Sequence, residues 1–525
     1  MRKIVLFFFI LTSVIFVQKK STAQEWKDVA PIIYNNCSSC HRPEEIGPFP
    51  LLSYHDASDP NQLYNIQAYV NEGLMPPWKA DPEYTHFLDE RVLSQGEKDL
   101  ISSWVDAGAP AGDTTLAPPP PTFPAGSQLG VPDLILSMSQ SYTTPGDNAD
   151  HYMCFVLPTD LIQATDVAAI EFRPGNGTAV HHTFIYLCND SSAYYHDVQT
   201  PEYGYEVFGG VGNGVSAEFI TLYGPGMIPR FYPAGGAVNF PAGSFLIIQV
   251  HYAPTTLQLE DSSSINLFYS ANGNIRNVIA KRIGEGNITN PPFIIEADMV
   301  DTFYSEFEVA NAYSLFAIAP HQHLLGKSYK IYAVDAAQDT IPLISIPEWD
   351  FHWQLLYSYP FMIKLDTGVV IHAFAVYDNT TNNPDNPSNP PVNVHYGENS
   401  TDEMFKYFIN MLNYLPGDES IIIDSTWGIP TIVPPLNGIV ATPQLYQCSP
   451  NPASDQLAIT YFLPFADYVQ LFIYDASGKV VSESYAPGDP GFRRVMVDVS
   501  KFPPGPYVFS LHCKGKLMNK SFIVQ

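Results

Sequence analysis

His321-Gln322-His323 places two imidazoles one residue apart. On an extended segment, residues i and i+2 point to the same face, so both rings can converge on one metal ion. The run Tyr313 to Ile318 before them is apolar and Tyr329 to Ala333 after them alternates, which sets the pair near a strand end. The plain alternative is two surface imidazoles at a strand edge. His181-His182 precedes the apolar stretch Thr183 to Cys188. Adjacent strand residues face opposite sides, so this pair reaches one metal only at a strand end or a bulge. Gly175 to Val180 supplies such a start. His251 sits in Ile247-Ile248-Gln249-Val250-His251-Tyr252, a strand with one inward histidine, and Met404 follows an acidic turn at Asp402-Glu403. Taken singly, such a histidine is more often a hydrogen-bonded core residue and such a methionine more often packing.

Cys37-Ser38-Ser39-Cys40-His41 is a haem-attachment pattern. Two thiols at this spacing form thioethers to the haem vinyl groups, and the next residue offers an axial imidazole to iron. A redox C-x-x-C with a chance histidine would expect a βαβ context instead. Here the neighbours read as helices. Asp28 to Asn35 is one, and Ser94-Gln95-Gly96-Glu97 is a capping box that opens another, with Leu100, Ile101, Trp104 and Val105 on one face and Gly108 at its end. Met75, in Gly73-Leu74-Met75-Pro76-Pro77-Trp78, is favoured as the second axial ligand over His55 and His86. A Met/His pair raises the haem potential and suits electron transfer.

The elements that must position these groups are mainly β. Pro 47 and Gly 34 in 525 residues imply a turn-rich, strand-rich chain of several domains. The net charge of −28 argues against nucleic-acid or anionic-membrane partners, which call for basic patches. Met1-Arg2-Lys3, the apolar run Ile4 to Val17 and Ser21-Thr22-Ala23 read as a secretory signal. No later segment is apolar enough for a transmembrane helix, so an exported mature chain without a membrane span is expected. Pro118 to Pro121 marks a semi-rigid linker, and from Val131 to Ile423 short apolar runs alternate with Gly, Pro, Asn and Asp clusters, as in β-sandwiches.

Residues 24–112 resemble a small class I cytochrome c, which implies covalently bound haem c held by Cys37, Cys40, His41 and Met75. The ordered set His181-His182, His251-Tyr252, His321-Gln322-His323-Leu324-Leu325-Gly326-Lys327 and Asp402-Glu403-Met404 resembles the copper type II ascorbate-dependent monooxygenases, the peptidylglycine α-hydroxylating and dopamine β-monooxygenase family. That resemblance implies two copper ions. His181, His182 and His251 would hold the first, an electron-transfer site, and His321, His323 and Met404 the second, the catalytic site that meets O₂. It also implies two jelly-roll-like β-sandwiches, 128–275 and 276–428, with the metals facing each other across a solvent-filled cleft, and insertion of one oxygen atom into an aliphatic C–H bond. A thioether favours Cu(I), and zinc is the alternative metal at three imidazoles. The amidating members place an arginine two residues before the H-x-H and an aromatic hydroxyl four after the methionine. Here these are Ala319 and Phe408, an apolar pair that cannot clamp a carboxylate, so peptidylglycine is not the expected substrate and the small molecule or peptide that is taken with O₂ is unknown. The fused haem is expected to pass electrons from an external donor to the coppers in place of ascorbate. The alternative is a secreted haem and copper protein that carries electrons or metal without catalysis.

After a linker at 429–441, residues 442–525 form a further unit. Ser449-Pro450-Asn451-Pro452, the Asp475-Ala476-Ser477-Gly478-Lys479 turn and Gly505-Pro506-Tyr507 resemble the type IX secretion sorting domain. This implies a small Ig-like sandwich, the type IX machinery as partner, and release outside the cell or display on its surface via the periplasm. The pairing of Cys154 with Cys188 and of Cys448 with Cys513 is open. His151, His196, His352, His372 and His395 are expected to be surface or hydrogen-bonded imidazoles.

Overall fold

The computed structural model describes residues 24–525 apart from 44, 124–125, 201, 234, 271–274, 422, 424–442, 446–447, 449, 464–467, 487, 489–490 and 514–515. The expected signal peptide at 1–23 and the linker at 429–441 lie outside the described residues.

The chain is mainly β. Its helices among the described residues are few: Trp26–Asn36, Tyr54–Ala57, Leu63–Asn71 and Gln95–Asp106 near the start, and Ser192–Asp197 later. Local chemistry sets their ends. Ser94 Oγ accepts from Glu97 N at 3.3 Å while Glu97 Oε2 accepts from Ser94 N at 2.8 Å, the expected reciprocal cap. Gly108 closes that helix at φ 81°, a conformation that favours glycine. Trp26, Ile33, Trp104 and Val105 are buried together between these helices.

Two β-sandwiches follow. In the first, one sheet orders Leu134–Ser137, Ser264–Tyr269, Thr165–Arg173, Gly236–Phe240 and Arg276–Asn277. The other orders Tyr205–Glu206, His151–Pro158, Phe245–Tyr252, Val180–Cys188 and Ala217–Tyr223. The pair Arg276–Asn277 still belongs to this sandwich, so the change-over falls just past the expected boundary at 275. In the second sandwich, one sheet orders Ile279–Ile283, Lys406–Asn413, Tyr313–His321 and Tyr357–Leu365, and the other Val300–Glu308, Val370–Asp378, Gly326–Val334 and Thr340–Ile346. Phe316, Ala317, Met362 and Leu412 of the second sandwich pack into the core of the first. The two therefore share a continuous apolar interface, and the sheets bearing the histidines meet there.

The amino-terminal segment is not held off by its Pro-rich tail. Ala80 and Phe87 are buried in the core of the second sandwich, and Asp81 N and Leu88 N donate to Ser345 O and Ser358 O, each at 2.8 Å. Arg173 of the first sandwich binds Glu45 at 3.2 Å through both terminal nitrogens. A linker read from local composition says nothing about how the units on either side pack, which is why this docking was not legible.

Residues 443–524 form two facing sheets. One orders Gln444–Leu445, Gln456–Leu463 and Gly491–Asp498, and the other Val480–Ala486, Val469–Asp475, Gly505–Cys513 and Lys516–Val524. Cys448 and Cys513 both lie in its core.

Candidate metal centre

The strand Val180–Cys188 pairs with Phe245–Tyr252, and the register passes from Val180↔Tyr252 directly to His182↔His251. His181 is the extra residue of a bulge, so two consecutive histidines turn to one side. Their Nδ1 atoms are 3.1 Å apart, and His251 Nδ1 lies 3.2 Å from that of His181 and 3.4 Å from that of His182. His251 Nε2 donates to Asp150 Oδ1 at 2.7 Å, which leaves its Nδ1 a bare acceptor. Asp150 is anchored in turn by Ser400, whose Oγ donates to Oδ2 at 2.7 Å. Tyr152 stacks on His251 at 4.3 Å between ring centres, and Phe351 on His181 at 4.8 Å. Burial holds His181 and His182 well below the ordinary imidazole range, reinforced by the neighbouring rings. Burial also lowers His251, against the pull of Asp150. The rings are therefore neutral. Three nitrogens with convergent lone pairs at such separations fit one small cation.

The second set gathers where the strand Tyr313–His321 ends. His321 pairs across the sheet with Lys406, two residues beyond Met404. The rings of His321 and His323 are 5.1 Å apart and nearly perpendicular. Gln354 Oε1 holds His321 Nδ1, and Asp402 O lies 3.1 Å from His323 Nδ1. Each ring is thus tied at Nδ1, which leaves Nε2 as its ligand atom. Met404 is buried at 2 % exposure, and its carbonyl accepts from Tyr377 Oη at 2.8 Å. Glu403 stitches the segment to the H-x-H turn: Oε2 accepts from His323 N at 2.9 Å and Met404 N at 3.1 Å, and Oε1 from Leu325 N at 2.7 Å. Burial lowers His321 well below the ordinary range and His323 to about 4. Glu403 thus ties the backbone of Met404, a buried thioether residue, to that of His323, and two imidazole nitrogens with a thioether are donors that suit a soft, one-electron metal.

The two sets are not separated by solvent, contrary to the expected cleft. The rings of His182 and His321 are 6.0 Å apart, and Phe351 touches both His181, at 4.8 Å, and His323, at 5.8 Å. The apolar contact between the sandwiches draws the five imidazoles into one cluster, in which His181 is half-buried and the other four are buried.

Cys37, Cys40, His41 and Met75 line a cleft of about 480 Å³. Phe49 O accepts from His41 Nδ1 at 3.0 Å, which presents Nε2 to the cleft. A Cβ on Gly47 would come within 2.7 Å of Cys40 O and 2.9 Å of the His41 ring, so only glycine lets this loop close. Burial pushes the Cys37 thiol up to about 12, which does not suit a redox nucleophile. These groups fit haem. His55 is exposed and His86 is tied to Glu90 at 2.9 Å, and neither lines the cleft. Val180, His181, His352 and Trp353 form its far wall. One imidazole of the metal cluster therefore borders the cleft.

Of the remaining histidines, His151 bridges Asp147 and Glu206, and His196 Nε2 lies 2.7 Å from Asn213 O. His372 faces Glu306 at 3.5 Å, and His395 is exposed. His352 is exposed and bonded to Asp350 at 3.3 Å, as expected, and it also lines the cleft. Sequence reading missed Asp150, Gln354 and Glu403, which orient the ligands. Only Glu403, beside Met404, carried a local signal. Cys154 and Cys188 are not joined: Cys188 Sγ donates to Asp190 O at 3.2 Å and Cys154 Sγ to Gly210 O at 3.9 Å.

Residues 447–525 match the family described as secretion system C-terminal sorting domain. The protein is secreted or displayed on the cell surface. Its partner in export is the type IX secretion machinery. No helix among the described residues is long and apolar enough to cross a membrane. No curated protein matches the chain. Among solved structures, a Faecalibacterium prausnitzii β-glucuronidase is 8 % identical over 42 % of this chain and 37 % of its own, with a TM-score of 0.14. A biofilm-associated protein BSP domain is 10 % identical over 77 % and 84 %, at 0.14, and a Ruminococcus gnavus β-glucuronidase 10 % over 43 % and 36 %, at 0.13. The chain thus spans little more than a third of those enzymes, and likenesses this slight carry no argument. Deletion of 447–525 is expected to trap the protein inside the cell envelope. Immunoblots of periplasm, cell surface and medium check this, and undiminished export of the truncated chain would contradict it.

Proposed function

We propose that the protein is an exported copper-dependent monooxygenase that converts R–H, O₂, two electrons and two protons to R–OH and water, with electrons entering through the haem-binding segment. The observation that carries the reading is the convergence of His181, His182 and His251 at 3.1–3.4 Å, with the second imidazole pair reaching them through the His182–His321 ring contact at 6.0 Å. Copper bound there would supply one-electron chemistry and O₂ activation.

The chain's own residues do the rest. Asp150, Gln354 and the Asp402 carbonyl fix the rings so that Nδ1 of the first set and Nε2 of the second point inward. The Met404 thioether favours the cuprous state and disfavours zinc, for which the all-imidazole trio alone would also serve. Phe184, Phe351 and Phe408 keep water from the cluster. Cys37 and Cys40 would attach haem, and His41 and Met75 would hold its iron, which would supply one-electron transfer. His181 on the cleft wall supports transfer between the two centres, since it belongs to both.

Metal analysis and oxygen-electrode measurements test this. The full-length protein is expected to hold two coppers per chain and to consume O₂ when given reductant. Met404→Leu is expected to keep the first copper and lose uptake by about 100-fold or more, the scale on which loss of a catalytic metal ligand is felt. Copper binding without O₂ uptake would instead favour the electron-carrier reading. Mixing reduced haem protein with its cupric form follows the internal transfer. Haem that stays reduced while copper is reduced would rule out that route.

A further inference from the structure

Next to the imidazole cluster lies a separate cavity of about 320 Å³. One end is aromatic. Phe184, Phe219 and Phe408 enclose it with ring separations of 5.4, 5.0 and 6.0 Å. Phe184 also touches His182 at 5.2 Å and His321 at 6.4 Å, so one wall of the box is a wall of the metal cluster. The other end is charged. Lys406, Glu398 and Arg282 line it. Lys406 Nζ lies 3.4 Å from Glu398 Oε1, with its side chain only 5 % exposed. Arg282 pairs across the sheet with Phe408, is exposed, and has no hydrogen-bond or ion-pair partner among the described residues. Lys406 is answered by Glu398 and, less directly, by Glu285, which leaves the Arg282 guanidinium as the cation with no bonded partner among the described residues at the mouth of an apolar box. Lys406 and Phe408 are spaced two apart on the strand Lys406–Asn413 and so share a face, and His321 is the cross-strand partner of Lys406. The charged and aromatic ends therefore both lie beside His321, one through Lys406 and the other through Phe184.

We infer that this cavity is the substrate pocket and that it takes a small aryl-alkyl carboxylic acid. The aromatic ring sits among the three phenylalanines, and the carboxylate bonds Arg282 with support from Lys406. The short aliphatic chain between them is then the part nearest His321. The size agrees: a volume near the lower limit of ligand sites, about 300 Å³, admits one ring with a short chain and excludes a folded peptide. The chemistry agrees as well, because a guanidinium fork matches a carboxylate in two hydrogen bonds. Lys406 is a less free partner, since Glu398 already holds it. This identification of substrate class rests on the monooxygenase reading of the adjoining cluster.

Calorimetric titration of the full-length protein, as isolated and without reductant, tests the pocket apart from turnover. Three probes are compared: 3-phenylpropionate, its uncharged amide, and hexanoate. The acid is expected to bind at least tenfold tighter than either. Arg282→Gln, an exposed substitution that leaves the fold intact, is expected to weaken the acid about tenfold and leave the amide unchanged. Equal binding of acid and amide, no binding of the acid, or an unaltered Arg282→Gln protein would each overturn the inference. Product analysis with reductant and O₂ then addresses the chemistry alone. Binding that follows the expected pattern but yields no hydroxylated acid would keep the pocket and reject the oxygenase reading.

Discussion

The His251→Ala protein is expected to hold one copper per chain where the parent holds two. The reason is geometric. The first set consists of three Nδ1 atoms within 3.1–3.4 Å of one another, and His251 is the member whose lone pair is oriented by a carboxylate. Its removal leaves His181 and His182 on a bulge with no third donor opposite, because the register partner of His182 is His251 itself. Two neutral imidazoles, one buried and one half-buried, then face an empty space, and metal affinity falls by orders of magnitude. Asp150→Asn separates ligation from orientation. It keeps all three rings and the Ser400 contact but loses the charge that accepts from His251 Nε2. A site of this kind loses about 10–100-fold in affinity when such an outer partner is removed. Copper counted after dialysis against graded chelator resolves the two cases. His251→Ala should stay at one copper at every chelator strength, and Asp150→Asn should recover two when the chelator is weak. Two tightly held coppers in His251→Ala would show that the trio is not a metal site.

How much of this was legible depended on how local each cause was. The capping box at Ser94 and the turn at Gly108 are written in a few adjacent residues, and helix Gln95–Asp106 follows them. That the alternation must break at His181-His182, by a strand end or a bulge, was legible for a similar reason; that it breaks by a bulge was not. Two neighbouring histidines can serve one ion only if the strand breaks its alternation there, so the chemistry demanded the irregularity. The partners that orient the rings were not legible. Asp150 comes from the turn before the strand His151–Pro158, and Gln354 from a loop between strands of the other sandwich. Neither differs in its surroundings from dozens of polar loop residues. The contact between the two imidazole sets was invisible for a stronger reason. It depends on Phe316, Ala317, Met362 and Leu412 entering the core of the first sandwich, and face-to-face packing of sheets leaves no periodic mark that names its partner. The same holds for Ala80 and Phe87, which read as part of a helical unit and are buried in a β one.

Glu403→Gln is expected to loosen the H-x-H turn and to cost the second site most of its copper affinity, although no ligand is changed. Glu403 is fully buried, and its two oxygens accept backbone N–H groups from His323, Leu325 and Met404 at 2.7–3.1 Å. It joins the two chain segments that carry His321, His323 and Met404. A glutamine presents one oxygen and one amide NH₂ with no lone pair to accept, whereas a carboxyl, even protonated, keeps acceptor capacity on both oxygens. Whichever way it turns, at least one backbone N–H meets another donor, and each buried group left unsatisfied costs about 1–3 kcal/mol. The pH dependence gives an independent check. Burial pushes the Glu403 carboxyl up to about 8, opposed by the backbone donors. A carboxyl raised in the folded state favours folding while it is protonated. Its contribution is fully present below the unfolded value near 4.5 and is lost as the pH rises through about 8. The stability advantage of the parent over Glu403→Gln should therefore be largest near pH 5 and shrink towards pH 8.5. Comparing the two proteins cancels the imidazoles, which titrate alike in both. Thermal unfolding across that range measures the difference, and copper binding at pH 7 measures the consequence, a loss of about 10–100-fold at the second site with the first unaffected. An advantage that grows with pH would show the carboxylate ionised and held by its N–H donors, and unchanged copper affinity would remove Glu403 from the centre altogether.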